Sequence, residues 1–174
     1  IKALVDAGCQ YIQIDEPVFA RKPDEANAYG MENLERMMHG IPKEVQRVCH
    51  ICCGYPNSLD SHGYKKAELD AYDRIATLVD DSTIDEVSLE DSHRHNDLNL
   101  LEKFTKTKVI FGFIDIAKSR METVEEVRVR MKDSLEHIDE HRLIAAPDCG
   151  LGFFTREQAI EKMSILTKAA KSCL

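Results

Sequence analysis

The chain has 174 residues, 31 acidic and 23 basic side chains, a net charge of −8 and 43% hydrophobic residues. That length suits one domain and that apolar content supplies a core, while the acidic balance argues against a nucleic-acid groove or an anionic membrane surface. No apolar run is long enough to span a bilayer, Ile1-Lys2-Ala3-Leu4 does not read as a signal peptide, and six cysteines in a chain this long point to free thiols in a reducing cytoplasm.

Lys2 to Ala7 reads as the tail of a helix stopped at Gly8. Tyr11-Ile12-Gln13-Ile14 is the first strand candidate, with a long charged connection from Glu16 to Gly30 behind it. Met31 to Gly40 places Leu34, Met37 and Met38 on one helical face. Gln46 to Ile51 is the second strand, followed by a loop from Cys53 to Gly63. Lys65 to Val79 sets Leu69, Tyr72, Ile75, Ala76 and Val79 at helical spacing, ahead of a third strand from Ile84 to Leu89. Val109 to Ile114 is the fourth strand. Val124 to Ile138, with Val127, Met131, Leu135 and Ile138, is the helix before a fifth strand from Leu143 to Ala146. The last helix, from about Thr155 to the C-terminus, opens on a capping-box pattern of Thr155 and Gln158.

Strand and helix alternate throughout, which predicts a parallel α/β sheet with helical crossovers in a single domain over 1–174. Five βα units fall short of the eight that close a barrel. The pattern fits a five-stranded open sheet, or a barrel with three units outside the chain. The chain opens on Ile rather than Met, which suggests processing or a piece of something longer.

Reactive residues gather at the strand C-termini: Asp15-Glu16-Pro17, His50-Ile51-Cys52, Glu90-Asp91, Asp115 and Asp148-Cys149-Gly150. In a parallel fold these ends share one rim, where active sites sit. His50 and Cys52, two apart on a strand, point to the same face. With a carboxylate and a second cysteine from neighbouring strands they form a zinc-ligand set by type: His50, Cys52, Glu90 and Cys149. Two thiolates and a carboxylate leave zinc electron-rich, a poor activator of water and a good binder of a substrate thiol. Simpler readings stand beside this one. Cys49 and Cys53 lie on the opposite strand face and read as packing, and Cys9 and Cys173 as structural or incidental. Asp15-Glu16-Pro17 fits a plain turn. Glu90 to Asp97 fits a solvated loop capping the next helix at Asn96 or Asp97, or a rival metal site through His93 and His95.

Ile12-Gln13-Ile14-Asp15-Glu16-Pro17, His50-Ile51-Cys52, Val87-Ser88-Leu89-Glu90 and Pro147-Asp148-Cys149-Gly150-Leu151, in that order, resemble the catalytic barrel of cobalamin-independent methionine synthase. They are most similar to its short, single-barrel members, and the resemblance runs over nearly the whole chain. It implies a (βα)8 TIM barrel of which this chain is the C-terminal portion, about the last five βα units. It implies zinc on His50, Cys52, Glu90 and Cys149, and Asp15 at the amino group of homocysteine. The implied reaction moves a methyl group from 5-methyltetrahydrofolate (as 5-methyltetrahydropteroyltriglutamate) to the homocysteine thiol by in-line displacement, giving methionine.

One position departs from the pattern. Long family members carry a histidine, a proposed proton donor to the folate, just after the segment matching Phe113-Ile114-Asp115-Ile116; here Ala117 stands there. No catalytic acid is assigned in its place, although Lys118 and Asp115 are near. The donor therefore stays open between methyl-folate and a corrinoid protein or other carrier. Parts of the implied substrate pockets fall upstream of Ile1, so the chain is expected to be incomplete as an enzyme. Three alternatives remain: another zinc–thiol alkyl transferase of the same fold (coenzyme M or corrinoid-linked), a zinc hydrolase, and a non-catalytic zinc-binding fragment that assembles with another chain. Asp15 favours an amino-acid thiol, because the sulfonate of coenzyme M calls for Arg or Lys. The expected partners are small molecules, with no nucleic acid and no membrane, and a homo-oligomer is left open.

Overall fold

The computed structural model describes residues 1–61 and 63–173. Position 62 in the expected 53–63 loop and position 174 at the end of the expected last helix lie outside the described residues. All five expected strands form: β1 (Tyr11–Glu16), β2 (Gln46–Ile51), β3 (Glu86–Leu89), β4 (Lys108–Ile114) and β5 (Leu143–Pro147). They make one parallel sheet in the order β1-β2-β3-β4-β5. An open doubly wound sheet reverses its strand order and covers both faces with helices. Here every neighbour in the sheet is a neighbour in the chain. Crossovers of one hand then bring all helices to one face, the arrangement of an arc of a (βα)8 barrel.

The packing agrees. The helices are α1 (Lys2–Asp6), α2 (Pro23–Glu25), α3 (Met31–Met38), α4 (Ala71–Asp81), α5 (Asn99–Glu102), α6 (Val124–Leu135) and α7 (Arg156–Lys171), with a π-helical turn at Ala26–Gly30 and a 3-10 turn at Glu140–Arg142. Leu34, Ile75, Val79, Leu101, Met131 and Leu166 from these helices join one buried cluster with alternate strand residues. Those strand residues form transverse rows, Cys49–Val87–Val109 and Ile51–Leu89–Phe111, each at most 2% exposed. The intervening row, Asp15–His50–Ser88–Ile110–Ile144, points to the other face. A one-residue register slip would send His50 into the helix layer, so the apolar rows also fix the site.

The expected helix over 65–79 begins only at Ala71. The first turn is lost because Ala67 N donates to Cys53 O (2.9 Å) and Lys66 reaches Glu90, drawing the chain along the exit of β2. Leu69 is left 55% exposed, while Tyr72, Ile75, Ala76 and Val79 are buried as the spacing predicts. Two other expected helices stop early, at Met38 and Leu135, and β3 starts at Glu86 rather than Ile84. The capping box of α7 forms, with Thr155 and Gln158 exchanging side-chain-to-backbone bonds. Thr123 and Glu126 make a second one on α6. Asp97 accepts from Asn99 N at 3.0 Å, so the expected cap of the helix after β3 sits one residue outside its Leu98 boundary.

Three polar fasteners hold the rim loops. Asp148 is fully buried and accepts from the backbone N–H groups of Asp91, Ser92 and His93 at 2.8–2.9 Å, which ties the β3 loop to the end of β5. Gly112 makes this approach possible: a Cβ there would overlap the Asp148 carboxylate and come within 2.8 Å of its Cα. Asp91 in turn holds Arg130 of α6 through two bonds of 2.8 Å. Lys162 of α7 is completely buried against Glu122 (2.9 Å) and the carbonyls of Asp115 and Arg120, pinning the β4 loop. No helix among the described residues is long and apolar enough to cross a membrane.

Candidate functional site

The strand ends carry the chemistry. His50 is on β2, Cys52 is one residue past its end, Glu90 is one residue past β3, and Cys149 follows β5. One ligand-type atom from each lies within 4.8 Å of the other three. His50, Cys52 and Glu90 are buried, and Cys149 is half-buried. Asp15 stands opposite His50 in the β1–β2 register, on the same face of the sheet. Its carboxylate is exposed and accepts from Gln13 Nε2 at 2.8 Å.

Each of these groups is held from behind. His50 Nδ1 is 2.8 Å from Ser88 Oγ, its lateral neighbour on β3. Its Nε2 is buried and has no hydrogen-bond partner. Glu90 Oε1 accepts from Cys53 N at 2.9 Å. Its Oε2 lies 3.2 Å from both Lys66 Nζ and His93 Nδ1. Tyr72 fastens the two strand ends together, donating to Ile51 O at 2.7 Å and accepting from Glu90 N at 3.1 Å. Tyr55 donates to Gly150 O at 2.8 Å and packs on Phe153 at 5.2 Å between ring centroids. It thereby joins the loop after Cys52 to the loop after Cys149.

The electrostatics describe a cluster short of positive charge. Burial lifts the Glu90 carboxyl to about 7, with the Cys52 sulfur and Asp148 adding to the effect against the pull of Lys66 and His93. Cys52 is lifted to about 11, chiefly by hydrogen bonding to Cys149, whose own thiol is lowered by the same contact. Burial works against a charged His50, but the Cys52 sulfur and the charges of Glu90 and Asp15 outweigh it and raise its pKa. A histidine, two cysteines and a carboxylate with ligand-type atoms within 4.8 Å of one another, beside a buried imidazole nitrogen that lacks a hydrogen-bond partner, fit a thiophilic cation by donor type and by satisfaction.

Cys49 and Cys53 behave as packing residues. Both belong to the helix-side core, and burial first, then nearby carboxylates, pushes each thiol to about 12. Cys53, Glu90 and His93 also approach one another as a second ligand-type group. Glu90 is common to both groups, and Cys53 belongs to the helix-side core, on the opposite face from His50 and Cys52. His93 turns to Asp148 (2.9 Å) and Glu90, and His95 joins no ligand-type group among the described residues. Reading the sequence missed Lys66, Ser88, His93, Asp148, Tyr55 and Tyr72 as supports. Asp148 and Ser88 sit inside quoted motifs and His93 just beyond one; Lys66, Tyr55 and Tyr72 carry no local signal.

A one-way arc of parallel strands with a His/Cys/Glu/Cys cluster on its C-terminal rim defines the class: a barrel-type α/β domain with a group of potential metal ligands at the rim. The chain belongs to the family described as cobalamin-independent synthase, catalytic domain, whose sequence model matches residues 1–172. It is 31% identical over 171 residues to the methionine synthase of Thermococcus kodakarensis and 30% identical over 172 residues to that of Pyrococcus abyssi. Both comparisons cover 98% of this chain and 45% of the relative, so the chain spans about half the length of the curated relatives it matches. Among solved structures it is similar to a B12-independent methionine synthase from Shewanella sp. in complex with selenomethionine, with a TM-score of 0.85 and 30% identity over 98% of this chain and 50% of that one. A methyltransferase from Methanosarcina mazei, 20% identical with a TM-score of 0.67 over 98% of this chain and 44% of that one, shares the fold.

Proposed function

We propose that the protein carrying this chain is a zinc-dependent methyltransferase that moves a methyl group to the thiol of homocysteine, giving methionine, and that residues 1–174 form the C-terminal arc of its catalytic barrel. His50, Cys52, Glu90 and Cys149 hold the metal, and Asp15 receives the substrate's amino group. The observation that carries the reading is the gathering of one ligand-type atom each from His50, Cys52, Glu90 and Cys149 within 4.8 Å of one another, with His50 Nε2 buried and without a hydrogen-bond partner. The family membership and the names of the methionine synthases it resembles support the choice of acceptor. Bound there, zinc lowers the pKa of a substrate thiol and presents the sulfur as a nucleophilic thiolate.

The chain's own residues orient the pieces. Ser88 holds the imidazole of His50 through Nδ1, and Nε2 is the nitrogen left for the metal. Lys66 and His93 hold Glu90 in place. Asp15, one strand away from the cluster and exposed, offers a carboxylate to an ammonium group. For the donor, 5-methyltetrahydrofolate is the first reading. Ala117 favours a second, a corrinoid-linked methyl group. A departing folate nitrogen needs a proton, a departing corrinoid does not, and Ala117 has no side-chain group to give one.

Zinc K-edge absorption of the purified protein, with and without L-homocysteine, tests the acceptor. Two sulfurs and two nitrogen or oxygen ligands, gaining a third sulfur with homocysteine, are expected. A zinc shell that ignores homocysteine would remove the main support for thiol transfer.

A further inference from the structure

The ligand set has an excess of negative charge, and one lysine is placed to offset it. Two thiolates and a carboxylate against a dication leave one net negative charge, and a substrate thiolate raises it to two. The protein keeps this charge away from water: His50, Cys52 and Glu90 are each at most 8% exposed. Excess charge of one sign in such a place is costly unless an opposite charge stands beside it. Among the described residues, Lys66 is the only lysine or arginine paired with any of the four candidate ligands. Its Nζ lies 3.2 Å from both Glu90 Oε2 and Gly54 O, and 4.8 Å from the centre of the Tyr64 ring, with the side chain 14% exposed. The other cations nearby are engaged elsewhere. Arg130 is bonded to Asp91, Lys162 to Glu122, and Arg94 uses Nη2 on the carbonyls of Ala67 and Glu68. His93 lies between Glu90 and Asp148.

Holding Glu90 does not by itself call for a lysine. The carboxylate already accepts from Cys53 N at 2.9 Å and meets His93 Nδ1 at 3.2 Å. What Lys66 adds is a fixed positive charge. We propose that Lys66 is the charge-balancing residue of this site, which favours an anionic substrate sulfur over the neutral sulfur of the methylated product. The proposal rests on the zinc and homocysteine reading above. On binding, the homocysteine thiol gives its proton to solvent, and the thiolate gains from the nearby ammonium. After methylation the sulfur is an uncharged thioether, which the ammonium does not attract. Toward the metal the sign reverses, because an ammonium repels a dication. Lys66 therefore supports the thiolate and opposes zinc, whereas a residue that only braced the loop would support both.

The test compares the native protein with Lys66→Gln, which keeps a hydrogen-bond donor without the charge, and with Lys66→Arg, which keeps the charge. Zinc retention is read by competition with a chelator. Binding of L-homocysteine and of L-methionine, which share a head group and differ in the charge of the bound sulfur, is read by calorimetry on the zinc-loaded protein. Lys66→Gln is expected to hold zinc at least as tightly as the native protein, to bind homocysteine about tenfold more weakly and to bind methionine unchanged. Lys66→Arg is expected to bind homocysteine within about threefold of the native protein. Zinc lost from Lys66→Gln in step with homocysteine would reduce Lys66 to a brace. Equal weakening of homocysteine and methionine would assign its charge to the amino-acid carboxylate instead. Either result, or homocysteine binding that ignores Lys66→Gln, overturns the proposal. If the native zinc shell ignores homocysteine, the methyltransferase reading falls and takes this inference with it. If the native protein binds the thiol at zinc and Lys66→Gln binds it equally well, this inference alone falls.

Discussion

Alternation along β2 divides four neighbouring residues by role. His50 and Cys52 face the cluster, whereas Cys49 and Cys53 enter the helix-side core, where their thiols are pushed to about 12. Side chains on that buried face point away from His50 and the rim cluster. Cys149→Ser is therefore expected to strip most of the zinc, and Cys53→Ser to leave it in place, as read by metal content after gel filtration. Zinc lost from Cys53→Ser and retained by Cys149→Ser would reverse the assignment. The strand pairing behind this contrast was legible from the order His-x-Cys alone, because side chains two apart on a strand share a face. Lys66 and His93 were not, because Lys66 meets Glu90 only where the loop after β2 approaches the loop after β3, and His93 is turned to Glu90 beside Asp148 from the end of β5.

At the scale of elements, buried carboxylates do the fastening. Asp148 joins β3 to β5, Asp91 joins the β3 loop to α6, and Asp80 at the end of α4 gathers the turn before β4. Asp80 accepts from Thr105 N and Oγ1, Lys106 N and Thr107 N at 2.7–3.2 Å. Burial alone would raise its pKa, but those donors outweigh it and hold the carboxyl well below the usual carboxylate range. An unfolded aspartate titrates near pH ~3.9. The folded value is lower, so the stabilisation is complete above about pH 4 and is lost as pH falls toward the folded value. Asp80→Asn is expected to cost about 1–3 kcal/mol at pH 7. In urea unfolding the gap between the two proteins should narrow below about pH 4. A gap that widens in acid would mean that Asp80 is not the titrating fastener. Gly112 belongs to this scale as well, since any side chain there displaces Asp148 and with it the loop that carries Glu90.

At the scale of the molecule, the arc ends in two strand edges. β5 is half-buried along its whole length, and β1 exposes Tyr11, Gln13 and Asp15. Ile160 and Met163 on α7 and Leu4 on α1 are exposed apolar residues near the two ends of the sheet. Unpaired parallel edges flanked by apolar side chains are templates for pairing with another chain. The 174-residue chain expressed by itself is thus expected to self-associate with rising concentration in sedimentation velocity. A single monomeric boundary across the concentration range would show that the edges are blunted in solution.

Several levels of this protein were readable from the linear chain. The βα alternation, the five strands and the capping box of α7 come from period-two and period-3.6 patterning and from a local exchange of hydrogen bonds, all of which act over a few residues. The candidate ligands were readable because strand C-termini of a parallel sheet share one rim. The start of α4 at Ala71 was not readable, because Lys66 and Ala67 are recruited by groups on β2 and β3 that are distant in sequence. Nor did local pattern choose between an open sheet and a barrel arc; the sequential strand order, with its apolar rows against helices on a single face, made that choice. Short-range physics wrote the elements, and tertiary packing alone decided which polar groups find partners.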